Sequence, residues 1–413
     1  MSSVHSTRRA LGMGAIAGLF SLGLAMSEVK AADPVRIGLL SDQGGTFSAL
    51  GGVGSCVAAK MAAADFGGTV LDRPIEILCA DHQNKVEIAS TLARNWLDTQ
   101  GVTALADIAS SAAALAVQQV ATESNKAVVM TSASGTEVLV NASCSPVGAL
   151  WAWNTRTQAV STVKGAMQGG KNKKWFFITV DYTFGHALEQ DATKAIEAAG
   201  GTVVGSVRHP LNISDFSSYL LMAQSSGADI VALATGGLDL VNAIKQADEF
   251  GLVEGGQKLA SFISFITDIH SLGLQHAQGM VLTTGFYWDL NDQTRAWSAR
   301  FEKERNAKPT MVQASVYSSV LHYLKGVKAA GGTEPKAVMA KMRELPINDV
   351  ITKGGQLRED GLMLHDILVA EVKSPTESKG PWDYYKIIGT VPASEAYWPL
   401  SESRCPLVQA KRS

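Results

Sequence analysis

Four serines follow apolar segments at positions where a small anion could bind. They are Ser110, Ser111, Ser132 and Ser134. The first pair lies between the strand-like run Thr103–Ile108 and the body of a helix-like run whose first residue is Ser111. The second pair follows the strand-like run Ala127–Thr131. Unpaired backbone N–H groups at a helix start attract anions, and hydroxyl groups add donors. A simple N-cap would also explain the first pair. Two serine segments at one carboxyl edge of a parallel sheet favour a site for a small anion.

Aromatic and small residues in the second half of the chain could close over the body of such a ligand. The candidates are Tyr182, Phe184, Thr235, Gly236 and Phe262. A buried aromatic ring packs well on a planar or aliphatic ligand, and glycine lets the backbone approach it closely. The run Thr235-Gly236-Gly237 is equally suited to an ordinary strand-to-helix turn. Trp151 and Trp153 either line the same cleft or pack in a hinge.

The sequence carries no motif for a cofactor, a metal or a catalytic nucleophile. Gly52-Val53-Gly54 starts like a dinucleotide fingerprint but lacks its third glycine, and neither a P-loop Gly-Lys-Ser nor H-E-x-x-H occurs. Glycine is absent two positions before Ser132 and Ser134, so neither serine has the context of a nucleophile elbow. Asp81-His82 is interpreted as the end of a strand. We therefore predict no catalytic residue, cofactor or metal site.

The first 31 residues have the pattern of an export signal. A twin arginine, Arg8-Arg9, precedes a small and apolar run at 10–27, and Val29-Lys30-Ala31 ends in residues suited to signal-peptidase cleavage. This order is typical of a twin-arginine signal peptide. A membrane anchor is the alternative, but four glycines weaken the apolar run. We predict export to the periplasm with cleavage near Ala31.

Charge and length narrow the class of protein further. The 413 residues carry a formal net charge of −2, and removal of residues 1–31 leaves 33 basic and 37 acidic residues. The absence of a run rich in Lys or Arg argues against nucleic acid and anionic membranes as partners. About 380 mature residues suggest two lobes of ordinary domain size.

Four cysteines would lie in an oxidising compartment after export. Cys56, Cys79, Cys144 and Cys405 match no zinc-site spacing, so one or two disulfides are expected. Cys144 and Cys405 each lie close to a proline in irregular sequence, which favours a bond between the C-terminal tail and the body. Cys56 and Cys79 fall in a helix and a strand, and buried thiols are an alternative for them.

Strand-like and helix-like segments alternate in two blocks. The strands are predicted at Val35–Leu40, Ile75–Ala80, Thr103–Ile108 and Ala127–Thr131, and then at Trp175–Val180, Thr202–Val207, Ile230–Ala234, Leu259–Phe265 and Met280–Thr284. Apolar strands between helices are typical of parallel sheets covered on both faces. We predict two similar α/β lobes with a break near Trp151–Gln158. Three helices within 291–345 and a strand pair near His365–Val372 and Tyr384–Thr390 imply that the chain crosses back between the lobes, as in a hinge.

Several short motifs occur in one colinear register over roughly residues 34–390. They are Val35–Leu40 with Gly44-Gly45 and Gly51, Ala109-Ser110-Ser111, Met130–Ser134, Val180–Gly185 and Ser214-Asp215-Phe216. In this arrangement the chain resembles the type I solute-binding proteins of ABC importers, the group that includes the leucine/isoleucine/valine-binding protein. The segments His209–Asn212 and Gly380–Lys386 resemble a subgroup associated with aromatic and other small organic acids.

The resemblance implies an α/β fold of two Rossmann-like lobes with parallel sheets, joined by a multi-strand hinge. We expect one lobe to comprise 34–153 with 284–361, the other 154–283 with 362–390, and a tail at 391–413. Ser111, Ser132 and Ser134 align with family positions that hold the carboxylate of a ligand. The second lobe would close over this ligand with Tyr182 or Phe184 and with the loop at Thr235.

One departure from the family bears on the ligand. Amino-acid binders of this family pair the ligand's ammonium with a carboxylate late in the second lobe. The aligned segment here is Ser261-Phe262-Ile263-Ser264-Phe265, without an acid until Asp268. A buried ammonium without a carboxylate is costly, so we expect a carboxylate ligand without an α-amino group. Asp239 or Asp268 could restore amino-acid binding if the alignment shifts.

The expected function is therefore capture of a small organic anion by hinge closure and delivery to an ABC permease in the inner membrane. The protein is expected to be monomeric and to bind no nucleic acid. A branched-chain amino acid or amide ligand is the alternative within the fold. An exported α/β hydrolase is a second alternative, but no base near the cleft serines can be identified in the sequence.

Overall fold

The first sheet belongs to the N-terminal half of the computed structural model, which describes residues 33–168, 170 and 172–411. The predicted export signal at 1–31 lies outside the described residues. The elements are β1 (Val35–Ser41), α1 (Gly52–Phe66), β2 (Thr69–Val70), β3 (Arg73–Asp81), α2 (Val86–Thr99), β4 (Val102–Asp107), α3 (Ser111–Ser124), β5 (Val128–Thr131) and β6 (Gly148–Leu150). The strand order is β2-β3-β1-β4-β5-β6, and every pair is parallel except the β2–β3 hairpin.

The second sheet begins after one helix that packs on it. The elements are α4 (Thr155–Ala166), β7 (Lys174–Val180), α5 (Thr183–Ala198), β8 (Thr202–His209), α6 (Ser217–Ser225), β9 (Ile230–Ala234), α7 (Gly237–Glu249), β10 (Lys258–Ser261), α8 (Ile266–Leu272), α9 (Leu274–Ala277) and β11 (Val281–Thr284). The parallel strands lie in the order β8-β7-β9-β10-β11.

The C-terminal part of the chain adds to both halves. Its elements are α10 (Asp292–Arg305), α11 (Met311–Ala330), α12 (Pro335–Glu344), β12 (Ile347–Asn348), β13 (Lys353–Leu357), β14 (Met363–Leu364), β15 (Ile367–Val372), β16 (Tyr385–Val391), α13 (Ala393–Ala396) and α14 (Pro406–Gln409). Helices α10 and α11 pack against α1, and α12 packs against β5. Strands β15 and β16 extend the second sheet antiparallel beside β11, and β12–β14 form a small third sheet.

Burial explains why the strands are apolar throughout their length. Every residue of β5 and β9 is buried, because helices cover both faces of each sheet. The predicted fold class, two Rossmann-like α/β lobes with parallel sheets, is confirmed. The limits of the lobes, 34–153 with 284–361 and 154–283 with 362–390, remain our proposal.

Two local features differ from the prediction. The strand predicted at Leu259–Phe265 ends at Ser261, and the residues after it lead into α8. The predicted break at Trp151–Gln158 contains the start of α4, where the Asn154 side chain accepts a hydrogen bond from Thr157 N at 2.9 Å. Threonines are poor helix formers, so the polar, Thr-rich start of α4 gives little helical signal in the sequence.

The three crossings between the sheets meet at His365. This histidine is 2 % exposed, and its Nε2 lies 3.4 Å from the carbonyl oxygen of Ala152 in the first crossing. Gly285 in the second crossing packs so closely that an added Cβ would lie 2.7 Å from His365 Cε1. The hinge is thus a packed junction of the three segments that cross between the sheets.

Two disulfides join distant parts of the chain. Cys56 of α1 is bonded to Cys79 of β3, and Cys144 is bonded to Cys405 ahead of α14. The second bond closes a sequence separation of 261 residues and attaches the tail to the first half of the chain. In the part of the chain that the structure describes, no helix has both the length and the apolar character needed to cross a bilayer.

Candidate ligand-binding site

The serines predicted from the sequence lie at the carboxyl ends of β4 and β5. Ser111 is the first residue of α3, and its Oγ accepts a hydrogen bond from Ser134 Oγ at 3.0 Å. Ser132 is fully buried, and its Oγ has no hydrogen-bond partner among the described residues. Ser110 has a different role, because its Oγ accepts from Ala113 N at 3.5 Å and caps the helix. Ser111 and the Ser134 hydroxyl bonded to it therefore lie at the positive end of α3, and Ser132 adds a buried hydroxyl after β5.

The backbone that presents these serines is strained. Asp107 and Ile108 both adopt positive φ angles, 77° and 61°, which non-glycine residues rarely do. The carbonyl oxygen of Asp107 accepts hydrogen bonds from Ser132 N at 3.0 Å and Ala133 N at 3.2 Å. This pair of bonds holds the end of β5 beside the turn that leads into α3. Strain of this kind is concentrated at functional sites.

Asp107 is a buried carboxyl at this turn that the sequence analysis did not identify. Burial raises its pKa to about 7, and the nearby Ser55 hydroxyl offsets part of this increase. A Cβ added to Gly51, which precedes α1, would lie 3.2 Å from Asp107 Oδ2. An acidic residue at the end of an otherwise apolar strand was the available signal, but the residue was assigned to the strand itself.

The Gly-rich loop after β1 is closed by another buried acid. The carboxylate of Asp42 accepts hydrogen bonds from Gly45 N at 2.9 Å and Phe47 N at 3.0 Å. A Cβ on Gly45 would lie 2.6 Å from Asp42 Oδ1, so this position requires glycine. The loop is therefore a compact turn at the same edge of the sheet as the serines.

The aromatic pair predicted in the second half of the chain stacks on itself. The ring centroids of Tyr182 and Phe184 are 5.8 Å apart. Tyr182 as a whole residue is 41 % exposed. Burial, and then the charge of Asp239, raise the pKa of its hydroxyl. Tyr182 thus stays a neutral aromatic surface at the start of α5.

The two halves approach each other at the loop after β9. Thr235 is fully buried, with its Oγ1 unpartnered in the described structure, and Gly236 precedes α7. Gly237 has a φ of 62°, and a Cβ there would lie 3.6 Å from Thr46 Cγ2 in the loop after β1. The loops after β1 and β9 thus lie close together at this point.

Phe262 packs against a strand of the second sheet. Its ring is fully buried and stacks on Phe177 of β7, with centroids 6.1 Å apart. Two serines beside it, Ser261 and Ser264, carry buried hydroxyls for which the described chain supplies no partner. Residue-type reasoning favoured the large ring and passed over these hydroxyls.

The two tryptophans at the junction have different environments. Trp151 donates its Nε1–H to Ser318 Oγ of α11 at 3.0 Å and packs in the core. Trp153 covers Gly135, where an added Cβ would lie 2.0 Å from Trp153 Cζ3. The Nε1–H of Trp153 is buried and lacks a partner within the described residues. Trp153 is thus a polar-tipped ring next to the Ser132–Ser134 segment.

Both acids that could receive an ammonium already bind backbone. Asp239 Oδ2 accepts a hydrogen bond from Asn212 N at 2.9 Å, and Asp268 Oδ2 accepts one from Phe265 N at 2.8 Å. Burial raises the pKa of Asp268 to about 7. Ser261, Ser264 and Thr235 add hydroxyl donors and acceptors at this edge of the second sheet, and these hydroxyls have no partner among the described residues.

A family profile described as "Periplasmic binding protein" matches residues 34–381. A Leu/Ile/Val-binding protein homolog 6 of Brucella melitensis is 26 % identical over 335 residues, which cover 78 % of this chain and 83 % of that protein.

Solved structures extend the likeness over nearly the whole chain. A periplasmic binding protein of Burkholderia mallei is 46 % identical with a TM-score of 0.85 and covers 91 % of this chain and 100 % of its own. A branched chain amino acid ABC transporter periplasmic ligand-binding protein of Burkholderia xenovorans is 36 % identical with a TM-score of 0.86 and the same coverage. An R. palustris ABC transporter solute-binding protein in complex with benzoate shares the fold at 20 % identity, with a TM-score of 0.77 over 91 % of this chain and 100 % of its own. The chain therefore belongs to the periplasmic binding protein family, the solute-binding and non-enzymatic components of ABC transporters.

Proposed function

We propose that this protein captures a small carboxylate-bearing, apolar or aromatic solute in the periplasm and delivers it to an ABC permease in the inner membrane. The proposed ligand-binding residues are Ser110, Ser111, Ser132, Ser134, Tyr182, Phe184, Thr235, Gly236 and Phe262. Capture uses closure of two lobes about the hinge, as in other two-lobed binding proteins. Residues 1–31 would direct export and be removed near Ala31.

One observation carries the proposal: Ser111 at the start of α3 and Ser132 and Ser134 after β5 carry hydroxyls that are partly or wholly free among the described residues. Ser134 Oγ and Ser111 Oγ bond each other at 3.0 Å, and Ser132 Oγ is buried without a partner in the described chain. Leaving a buried hydroxyl unpaired costs free energy. A carboxylate accepts hydrogen bonds from hydroxyls and from helix-start N–H groups, so it would satisfy this edge of the site. Ser110 would contribute through its cap on α3 and its backbone.

The hydroxyl groups at the edge of the second lobe support a ligand without an α-amino group, because both nearby acids, Asp239 and Asp268, already accept hydrogen bonds from backbone amides. Ser261, Ser264 and Thr235 contribute hydroxyls there, and Asp268 bonds Phe265 N. A buried ammonium would need a charged partner, whereas a hydroxyl or an apolar group on the ligand would not. Tyr182 would cover the body of the ligand. The likeness in fold to a solute-binding protein solved with benzoate is compatible with an aromatic acid.

A branched-chain amino acid is the second candidate ligand. The Burkholderia xenovorans protein, 36 % identical, is described as a branched chain amino acid transporter component. Only one oxygen of Asp268 bonds the amide of Phe265, and its other oxygen could receive an ammonium.

Calorimetric titration with benzoate, 4-hydroxybenzoate, leucine and valine separates the two candidates. We expect the aromatic acids to bind and the amino acids not to bind. Tight binding of leucine or valine without binding of either aromatic acid would reject the proposed ligand class. An ester-hydrolysis assay with the same preparation tests the hydrolase alternative, for which we expect no turnover.

A further inference from the structure

His82 follows β3 and is fixed in place by its own backbone. It is fully buried, its N–H donates to the carbonyl of Ser41 at 2.9 Å, and its carbonyl accepts from Lys85 N at 2.8 Å. Asp81 Oδ1 accepts hydrogen bonds from Gln83 N at 2.7 Å and from Gln43 N at 3.2 Å. The loop after β3 is thereby tied to the loop after β1.

The imidazole of His82 reaches across the sheet to the anion-binding turn. Its Nε2 accepts a hydrogen bond from Ala109 N at 3.3 Å. Because β1 lies between β3 and β4, the ring spans the end of β1 to make this contact. Ala109 directly precedes Ser110 and Ser111. Only a neutral imidazole has a lone pair on Nε2 for this bond.

The loop that carries His82 is held in an unusual conformation. Gln83 and Asn84 both have positive φ angles, 53° and 54°. Such backbone is costly for non-glycine residues and persists where surrounding contacts impose it. The contacts to Ser41 and Asp81 therefore serve to place the imidazole.

Four charged groups lie on the elements around His82. Asp42 after β1 and Asp81, which directly precedes His82, favour protonation of the imidazole. Lys85, just before α2, is positively charged, as a protonated imidazole would be. Asp107 at the end of β4 begins the turn that His82 supports. Burial lowers the pKa of His82 more than the two aspartates raise it. The imidazole is thus neutral at neutral pH.

We propose that His82 is a positioning residue for the anion site: its neutral Nε2 fixes Ala109 and the following serines, and its protonation in acidic medium loosens this turn and weakens ligand binding. A protonated ring would set an N–H against the N–H of Ala109, and two donors cannot share a hydrogen bond. The effect on affinity rests on the proposed function, but the effect on the turn does not.

The turn is tested first without a ligand, by hydrogen exchange of the peptide covering 107–112 between pH 7.5 and pH 5.0. After correction for the intrinsic exchange rate, protection in the wild type is expected to fall as the pH falls. In His82→Gln, whose amide oxygen can replace Nε2 as acceptor, protection should not fall as the pH falls. Constant protection in the wild type, or an equal fall in His82→Gln, would overturn the proposal.

The second measurement is the affinity for benzoate over the same pH range, in which its carboxyl stays largely ionised. A loss of up to tenfold for each pH unit below the pKa of His82 is expected in the wild type. His82→Gln should bind at pH 7.5 and lose this dependence. Asp107→Asn removes the neighbouring titrating acid, and this variant should keep the pH dependence of the affinity. A pH dependence that disappears with Asp107→Asn and persists in His82→Gln would assign the effect to Asp107 and contradict the proposal.

The two measurements fail independently. If neither benzoate nor 4-hydroxybenzoate binds at pH 7.5, the proposed ligand class is wrong, while hydrogen exchange still decides the role of His82. If both acids bind with full pH dependence in His82→Gln, the ligand class stands and the inference about His82 is wrong.

Discussion

Ser132 is the residue on which the anion site depends most directly. Its hydroxyl is fully buried and finds no partner among the residues that the structure describes. Ser132→Ala should lower the affinity for benzoate about 10- to 100-fold, since a hydrogen bond to a charged group contributes about 1.5–3 kcal/mol. Calorimetric titration measures this change. Thermal stability without ligand should not fall, because the substitution removes an unpaired polar group.

The matched control for Ser132→Ala is Ser90→Ala. Ser90 donates its hydroxyl to Val86 O within α2, at 2.8 Å, and takes no part in the proposed site. The Ser90→Ala variant should bind benzoate with the same affinity as the wild type. An unchanged affinity in Ser132→Ala would remove the serine from the site.

Asp107 gives a pH-dependent prediction. Burial raises its pKa to about 7 in the folded state, against about 4 in an unfolded chain. The folded state therefore binds more protons between these values, and this group's contribution to stability falls as the pH rises through that window. Asp107→Asn should raise the melting temperature by about 2 °C or more at pH 8 and have a smaller effect at pH 5. A gain that is larger at pH 5 would contradict this assignment.

At the residue scale, the sequence predicted polar positions better than their individual roles. Ser111 and Ser134 are in contact, because strand ends of a parallel sheet meet at one edge. The capping role of Ser110 and the core packing of Phe262 depend on side-chain direction, which residue type alone does not specify. His82 was interpreted as a plain strand end, since its bond to Ala109 joins residues that are distant in sequence.

The hinge gives a prediction at the scale of elements. Gly285→Ala would place a Cβ 2.7 Å from His365 Cε1 at the junction of the three crossings. Overpacking of this kind costs about 1–3 kcal/mol, so the free energy of unfolding should fall by that amount in a denaturant titration. Gly332→Ala is the control, because no atom lies within 4 Å of its added Cβ. Equal stabilities of the two variants would show that the junction accommodates the added methyl group and would contradict this prediction.

Strands that are apolar throughout and helices with one clear apolar face were predicted closely. Elements without such a pattern were missed. The bounds of β9 and α2 agree with the sequence, since burial on both faces or one clear apolar face marks them. The start of α4 was missed because it is polar and rich in threonine. The small sheet β12–β14 was also missed, because its strands contain only two to five residues each.

At the scale of the whole molecule, closure is the expected response to ligand. The approach of Gly237 to Thr46 places the loops after β9 and β1 against each other. X-ray scattering should give a smaller radius of gyration with saturating benzoate than without it, because the ligand favours the closed state. The double variant Ser111→Ala/Ser132→Ala should show no decrease at the same benzoate concentration. Superimposable curves for the wild type would argue against hinge closure.

The fold and family were predictable because the alternation of strands and helices repeats in two blocks and the motifs keep one register. The ligand was not predictable to the same degree, since its identity depends on a few side chains from separate loops. Ser264 and Thr235, for example, carry buried hydroxyls without a partner among the described residues, and residue type alone does not specify which ligand group they would bind.

The central claim is that the site grips a carboxylate without an ammonium partner. Mass spectrometry of the small molecule that co-purifies with the protein from its periplasm tests this claim most directly. We predict an organic acid without a primary amine, which is lost from the Ser111→Ala/Ser132→Ala variant. An α-amino acid or an uncharged amide, retained by that variant, would contradict the account.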